Sequence, residues 1–199
     1  MTTPIAILLK DEAATKMLGE DLALAVKIGD CLALSGDLGA GKSTLARALL
    51  RALADDDELE VPSPTFTLVQ SYPLRIPAAH FDLYRLSDVS ELDELGFDEA
   101  LSDGICLIEW PERAESTLPK TTVTLSFTHE GEGRRVIISG DEAALARIAR
   151  SLSIRSFLDF SGYSDARRRH LSGDASARAY ETISTHGRAP MILMDAPRH

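Results

Sequence analysis

Cysteine is scarce in this chain of 199 residues. The two present, Cys31 and Cys106, each sit in an apolar run. Neither shares metal-ligand spacing with His80 or His129, so they read as buried free thiols rather than a disulfide or a metal pair. Long apolar runs are missing, which excludes a membrane-spanning helix. The first ten residues have no basic stretch ahead of an apolar core and no small-residue cleavage site, so no signal peptide is expected and the expected location is cytoplasmic. Basic residues are few: Lys+Arg total 21 against 31 Asp+Glu, a formal charge of −10. A protein that grips nucleic acid over its whole surface is excluded by that balance, although a small basic patch is not. What is present is ordinary globular composition, 44% hydrophobic and 26% charged, which argues against wholesale disorder.

The charge is unevenly spread. Residues 153–199 hold seven arginines and five acids, leaving a net −12 on the first 152. We therefore place a domain boundary at Leu152, with domain 1–152 and an extension 153–199. Within the first part the patterning predicts strands over 4–9, 31–34, 65–72, 79–86 and 105–109. Val123, Leu125 and Phe127 alternate, and Gly131-Glu132-Gly133 then leads into Val136 to Ile138, a hairpin signal. Helices are predicted from an Asp11 cap to Val26, over 43–53, in part over 88–101, and from Asp141 to Leu152. Strands interleaved with helices, some strands in hairpins, indicate an α/β fold with a mixed, largely parallel sheet flanked by helices.

Gly36-Asp37-Leu38-Gly39-Ala40-Gly41-Lys42-Ser43 fits G-x-x-x-x-G-K-[ST] at every fixed position, after a buried strand and at the start of a helix. The glycines let backbone N–H groups turn inward around phosphate oxygens, and the helix N-terminus adds partial positive charge. Asp37, Leu38, Gly39, Ala40, Gly41, Lys42, Ser43 and Thr44 are thus the expected nucleotide-binding residues. Lys42 is expected on the β- and γ-phosphates and Ser43 on Mg²⁺. A phosphate loop names a nucleotide, not a function, and hydrolysis needs further groups. Asp82 lies inside a strand pattern, where an acid is costly unless it faces a cation. Glu109 ends a strand, and ligands of open α/β sheets bind at strand carboxyl ends. Both are candidate Mg²⁺ supports, and Glu109 is also a candidate for orienting water. Thr65, held extended by Pro62 and Pro64, is a candidate sensor of the γ-phosphate. Trp110 reads equally as packing or as part of the site, and Arg85 as a contact to nucleotide or partner or as a solvated arginine.

Asp82-Leu83-Tyr84-Arg85 is not the D-x-x-G of a GTPase, and Thr15-Lys16-Met17-Leu18 lacks the final Asp of an [NT]-K-x-D guanine reader, which favours adenine or a permissive base site. Between Lys42 and Trp110 only Arg47, Arg51, Arg75 and Arg85 occur, too few for the arginine-rich lid of a small-molecule kinase. A kinase and a non-catalytic nucleotide sensor remain the alternatives to an ATPase.

The phosphate loop, Ser63-Pro64-Thr65-Phe66-Thr67-Leu68, His80-Phe81-Asp82-Leu83-Tyr84-Arg85-Leu86, Glu94-Leu95-Gly96 and Ile108-Glu109-Trp110-Pro111-Glu112 occur in that order. Together they resemble the bacterial TsaE (YjeE) family over roughly residues 5–150. The resemblance implies a small Mg²⁺-dependent P-loop ATPase needed for threonylcarbamoylation of the adenosine beside the anticodon of tRNA. It implies that the chain acts on the TsaD–TsaB heterodimer and meets tRNA only through that complex. The net −12 of the first 152 residues suits a protein partner. Family members usually stop near Leu152. Beyond it, Leu171 to Tyr180 and Pro190 to Pro197 resemble the opening of aminoglycoside-phosphotransferase-like kinases, without their catalytic residues. The alternative is a basic arm using Arg167-Arg168-Arg169. The extension offers strand candidates over 179–184 and 191–194 and is expected to be loosely attached.

Overall fold

The computed structural model describes residues 3–172 and 178–196. In chain order the elements are β1 (Ile5–Leu9), α1 (Glu12–Ala25), β2 (Cys31–Ser35), α2 (Lys42–Ala54), β3 (Val69–Tyr72), β4 (Ala78–Asp82), α3 (Glu91–Glu94), α4 (Phe97–Asp103), β5 (Ile105–Glu109), β6 (Val123–Glu130), β7 (Gly133–Ser139), α5 (Glu142–Phe160), β8 (Arg167–Leu171), β9 (Ala179–Ser184) and β10 (Met191–Asp195).

Seven strands form one mixed sheet in the order β1-β7-β6-β2-β5-β4-β3. Its centre, β6-β2-β5-β4, is parallel, and β3 and β7 run the other way. The expected α/β class with a mixed, largely parallel sheet is what the fold shows. Period-two alternation divides the central strands between two cores. Leu32, Leu34, Ile105 and Leu107 face α1, α2 and α5, while Cys31, Cys106 and Ile108 face α3 and α4. Both cysteines are free and buried. On α2, Leu45, Leu49 and Leu53 form one buried stripe at helical spacing. α1 crosses α2 so closely at Gly19 that a Cβ there would lie 2.6 Å from the Ala48 Cβ.

Two strand expectations are corrected. The segment after Pro64 turns rather than extends, and pairing begins only at Val69. β4 ends at Asp82, and Leu83–Arg85 form one 3₁₀ turn, because the Asp82 carboxylate accepts the Tyr84 N–H at 3.1 Å and bends the chain.

The end of the chain brings a larger correction. The helix expected to close at Leu152 runs on to Phe160, so the composition shift falls inside α5. β8 is a strand that the arginine run concealed, and it forms a second sheet in the order β10-β9-β8. Loose attachment is not what the structure shows. Arg168, fully buried, donates through Nη1 to Asp21 Oδ1 of α1 at 2.7 Å and to Ser151 O at 2.9 Å, and through Nε and Nη2 to Glu181 at 2.8 Å each. Arg155 Nη2 meets the same Asp21 at 2.9 Å. Arg167 and Arg169 reach Asp57 in the loop after α2. Alternation along β8 explains the split: the middle arginine points inward and its neighbours point out. Residues 173–177 and Pro197, which belong to the kinase-like stretches, lie outside the described residues.

Candidate nucleotide site

The carboxyl ends of β2, β5 and β4 lie side by side: Leu34 pairs with Glu109, and Glu109 with Asp82. Over this edge arches the loop 36–41. Gly36 (φ +141°) crosses Phe127 so closely that a Cβ would meet the Phe127 carbonyl at 2.7 Å, and Gly39 and Gly41 also have positive φ. α2 starts immediately after the loop, and its first residues, Lys42, Ser43 and Thr44, line the cleft. The cleft, of about 320 Å³, is lined by residues 38–44 together with Ser63, Thr65, Asp82, Tyr84, Glu109 and Trp110. Of the expected site residues, Leu38, Gly39, Ala40, Gly41, Lys42, Ser43, Thr44, Thr65, Asp82 and Glu109 thus share one wall. Asp37 does not line it, but its carbonyl accepts from Lys42.

Lys42 is buried. Its Nζ donates to Gly36 O at 2.5 Å and Asp37 O at 2.9 Å and lies 3.9 Å from the centre of the Trp110 ring. Burial pushes the ammonium below its ordinary value, and Glu109, Glu112, Asp82 and Asp37 oppose that shift. Ser43 Oγ donates to Glu109 Oε2 at 2.8 Å, and His80 Nε2 lies 2.9 Å from Glu109 Oε1. Asp82 Oδ2 accepts from Thr65 Oγ1 at 2.8 Å and Ser63 Oγ at 3.0 Å. Each carboxylate is therefore held by hydroxyls at the cleft.

Trp110 adopts a left-handed conformation (φ 60°) that is costly for a bulky residue. The strain places its ring against Lys42 on one side and Tyr84, at 5.0 Å between centres, on the other. Trp110 is thus both packed and part of the site. Arg85 does not line the cleft, and its guanidinium lies over the exposed Phe66 ring at 4.4 Å.

Sequence reasoning missed Ser63, Tyr84 and His80. For His80 a signal was present: it stands two residues before Asp82 in a strand, hence on the same face.

Fit to Mg²⁺ can be judged from the donors. Among the described residues no group of three or more His, Cys, Asp or Glu is arranged as a metal cage. Mg²⁺ needs no such cage when it shares phosphate oxygens and keeps waters. One hydroxyl (Ser43) with two neighbouring carboxylates suits that mode. Among the described residues no helix is long and apolar enough to cross a membrane.

An α/β sheet with a glycine loop between its central strand and a helix defines a P-loop protein. Comparison with known proteins narrows the class. The family Threonylcarbamoyl adenosine biosynthesis protein TsaE matches residues 9–137. A Rickettsia felis protein named tRNA threonylcarbamoyladenosine biosynthesis protein TsaE is 35% identical over 143 residues, covering 70% of this chain and 83% of that protein. The Bacillus subtilis protein of the same name is 38% identical over 125 residues, covering 62% and 77%. The crystal structure of Bacillus subtilis YdiB superposes with a TM-score of 0.65 at 26% identity, over 78% of this chain and 98% of that one. The chain belongs to the TsaE family of tRNA threonylcarbamoyladenosine biosynthesis proteins. The family's match ends at residue 137, before α5 and the small sheet.

Proposed function

We propose that this protein binds Mg²⁺-ATP at the loop and hydrolyses it in the service of tRNA threonylcarbamoylation. It would act on a TsaD–TsaB heterodimer and meet tRNA only through that complex. The observation that carries the reading is the meeting of Lys42, the Ser43–Glu109 pair and Asp82 at one strand edge. Lys42 donates to two neutral carbonyls. Phosphate oxygens in the loop would offer it charged acceptors, a stronger bond. Ser43, Asp82 and Glu109 would hold Mg²⁺, which supplies Lewis-acid polarisation of the phosphates. Thr65 and Ser63 fix the Asp82 carboxylate, and Glu109 is placed to accept a hydrogen bond from an attacking water.

A second cleft, lined by Asp11, Thr15, Gly39, Thr44 and Arg134, opens on the far side of the loop. Only the first cleft carries Asp82 and Glu109, so we place the γ-phosphate there and the nucleoside toward the second. The kinase alternative is weakened because none of Arg47, Arg51, Arg75 and Arg85 lines the first cleft. Arg47, Arg51 and Arg75 donate instead to the backbone carbonyls of Val61, Leu59 and Ala23. The test is incubation with Mg²⁺-ATP, alone and with TsaD–TsaB, tRNA and an activated threonylcarbamoyl donor. Phosphate release and modified adenosine support the reading, a phosphorylated small molecule shows a kinase, and tight binding without turnover shows a sensor.

A further inference from the structure

Glu109 has two chemically equivalent oxygens, and the reaction proposed above needs a particular one facing the cleft. The side chain is 3% exposed, so bulk water does not settle which. Oε2 meets Ser43 Oγ at 2.8 Å and Oε1 meets His80 Nε2 at 2.9 Å. His80 is 1% exposed and lies on β4, two register positions behind Asp82, so it approaches Glu109 from the protein side.

The proton on that imidazole can be placed. Nδ1 is buried and has no hydrogen-bond partner among the described residues. A carboxylate only accepts, so the 2.9 Å contact requires a proton on Nε2. A neutral ring then leaves Nδ1 as a bare lone pair, which a protein interior tolerates better than an orphaned N–H. We propose that His80, as the Nε2–H tautomer, is the positioning residue for Glu109: it occupies Oε1 and turns Oε2 to Ser43 and the ligand. The inference rests on the ATPase reading and adds a residue to it. A carboxylate without this bond keeps its charge and place in the chain but loses its defined orientation. Partners of this kind behind a reacting or ligating group are worth about 10–100-fold in activity.

Two variants separate positioning from packing. His80→Leu fills the space without a donor, and His80→Gln keeps a donor near the Nε2 position. Nucleotide affinity is read from the fluorescence of Trp110, the lone tryptophan, which lies in the cleft. H80L should lower kcat about ten-fold or more while affinity moves no more than about three-fold. H80Q should restore most of the loss. In an E109Q background H80L should cost nothing more, since its target is already gone. The ¹⁵N spectrum of the wild-type imidazole should show the Nε2–H tautomer, a readout independent of turnover. Wild-type turnover with H80L unaltered, H80Q as impaired as H80L, additive losses with E109Q, or an Nδ1–H tautomer each overturn this inference alone. A wild type that releases no phosphate, even with TsaD–TsaB, overturns the ATPase reading and His80's part in it.

Discussion

Asp82 and Glu109 stand on the same rung of two neighbouring parallel strands, each the last residue of its strand. Both carboxylates therefore reach the edge where the phosphate loop begins. Their hydroxyl partners differ, Thr65 and Ser63 for Asp82 and Ser43 for Glu109, and so do the roles expected of them.

Glu109→Gln should lower ATP turnover about 100-fold or more and weaken nucleotide affinity far less, the signature of a group that acts on the attacking water. Asp82→Asn should also weaken affinity in Mg²⁺ and not in EDTA. Trp110 fluorescence titrations with and without Mg²⁺ check this, and normal hydrolysis by both variants would refute the assignment of the two carboxylates.

Lys42→Ala removes the cation that faces the loop. Turnover should fall by about 10²–10³, equivalent to roughly 3–4 kcal/mol of transition-state stabilisation. Steady-state phosphate release is the measurement, and an unchanged rate places the phosphates elsewhere.

The buried Asp21–Arg168–Glu181 cluster binds the small sheet to α1. Arg168→Met leaves two carboxylates short of a partner and should cost about 3–5 kcal/mol. A chain ending at Leu152 should lose stability too, since Asp21 then loses both Arg155 and Arg168. Urea unfolding of the three proteins decides the matter. A truncated chain as stable as the whole would restore the expectation of loose attachment.

Burial raises the Cys31 thiol to about 11, from an ordinary 9.0. The folded value exceeds the unfolded one, so this contribution is intact below pH 9 and is lost as pH rises from 9 toward 11. The slope from this thiol is at most about 1.4 kcal/mol per pH unit. Alkaline destabilisation in that window should be smaller in Cys31→Ala than in the wild type. At pH 8 neither thiol of the folded protein should react appreciably with a disulfide reagent, and urea should release both.

Much of the first 152 residues was legible because local chemistry and tertiary role coincide there. The glycine loop needs its own backbone conformations, and strand β5 is a plain apolar run ending in the acid that matters. The sequence reading failed where partners come from far away in the chain. Arg168 sits in a run of three arginines that looks like solvated charge, and its burial depends on Asp21, 147 positions earlier, and on Glu181. His80 shows no metal-ligand spacing in the sequence, and its chemistry appears only when β5 is laid beside β4. Asp82 was expected in mid-strand, but its own side chain ends the strand by capping the next turn.

On α1, Gly19 touches the P-loop helix and Asp21, two positions on, holds the second sheet. One helix thus belongs to both structural units at once. Neither unit has a private boundary at which it could melt alone, so heating should produce a single calorimetric transition, with van't Hoff and calorimetric enthalpies in agreement. By the same logic, the paired amides of β8 should exchange their hydrogens at the pace of global opening, as the central strands do, rather than at the faster pace of a fraying terminus.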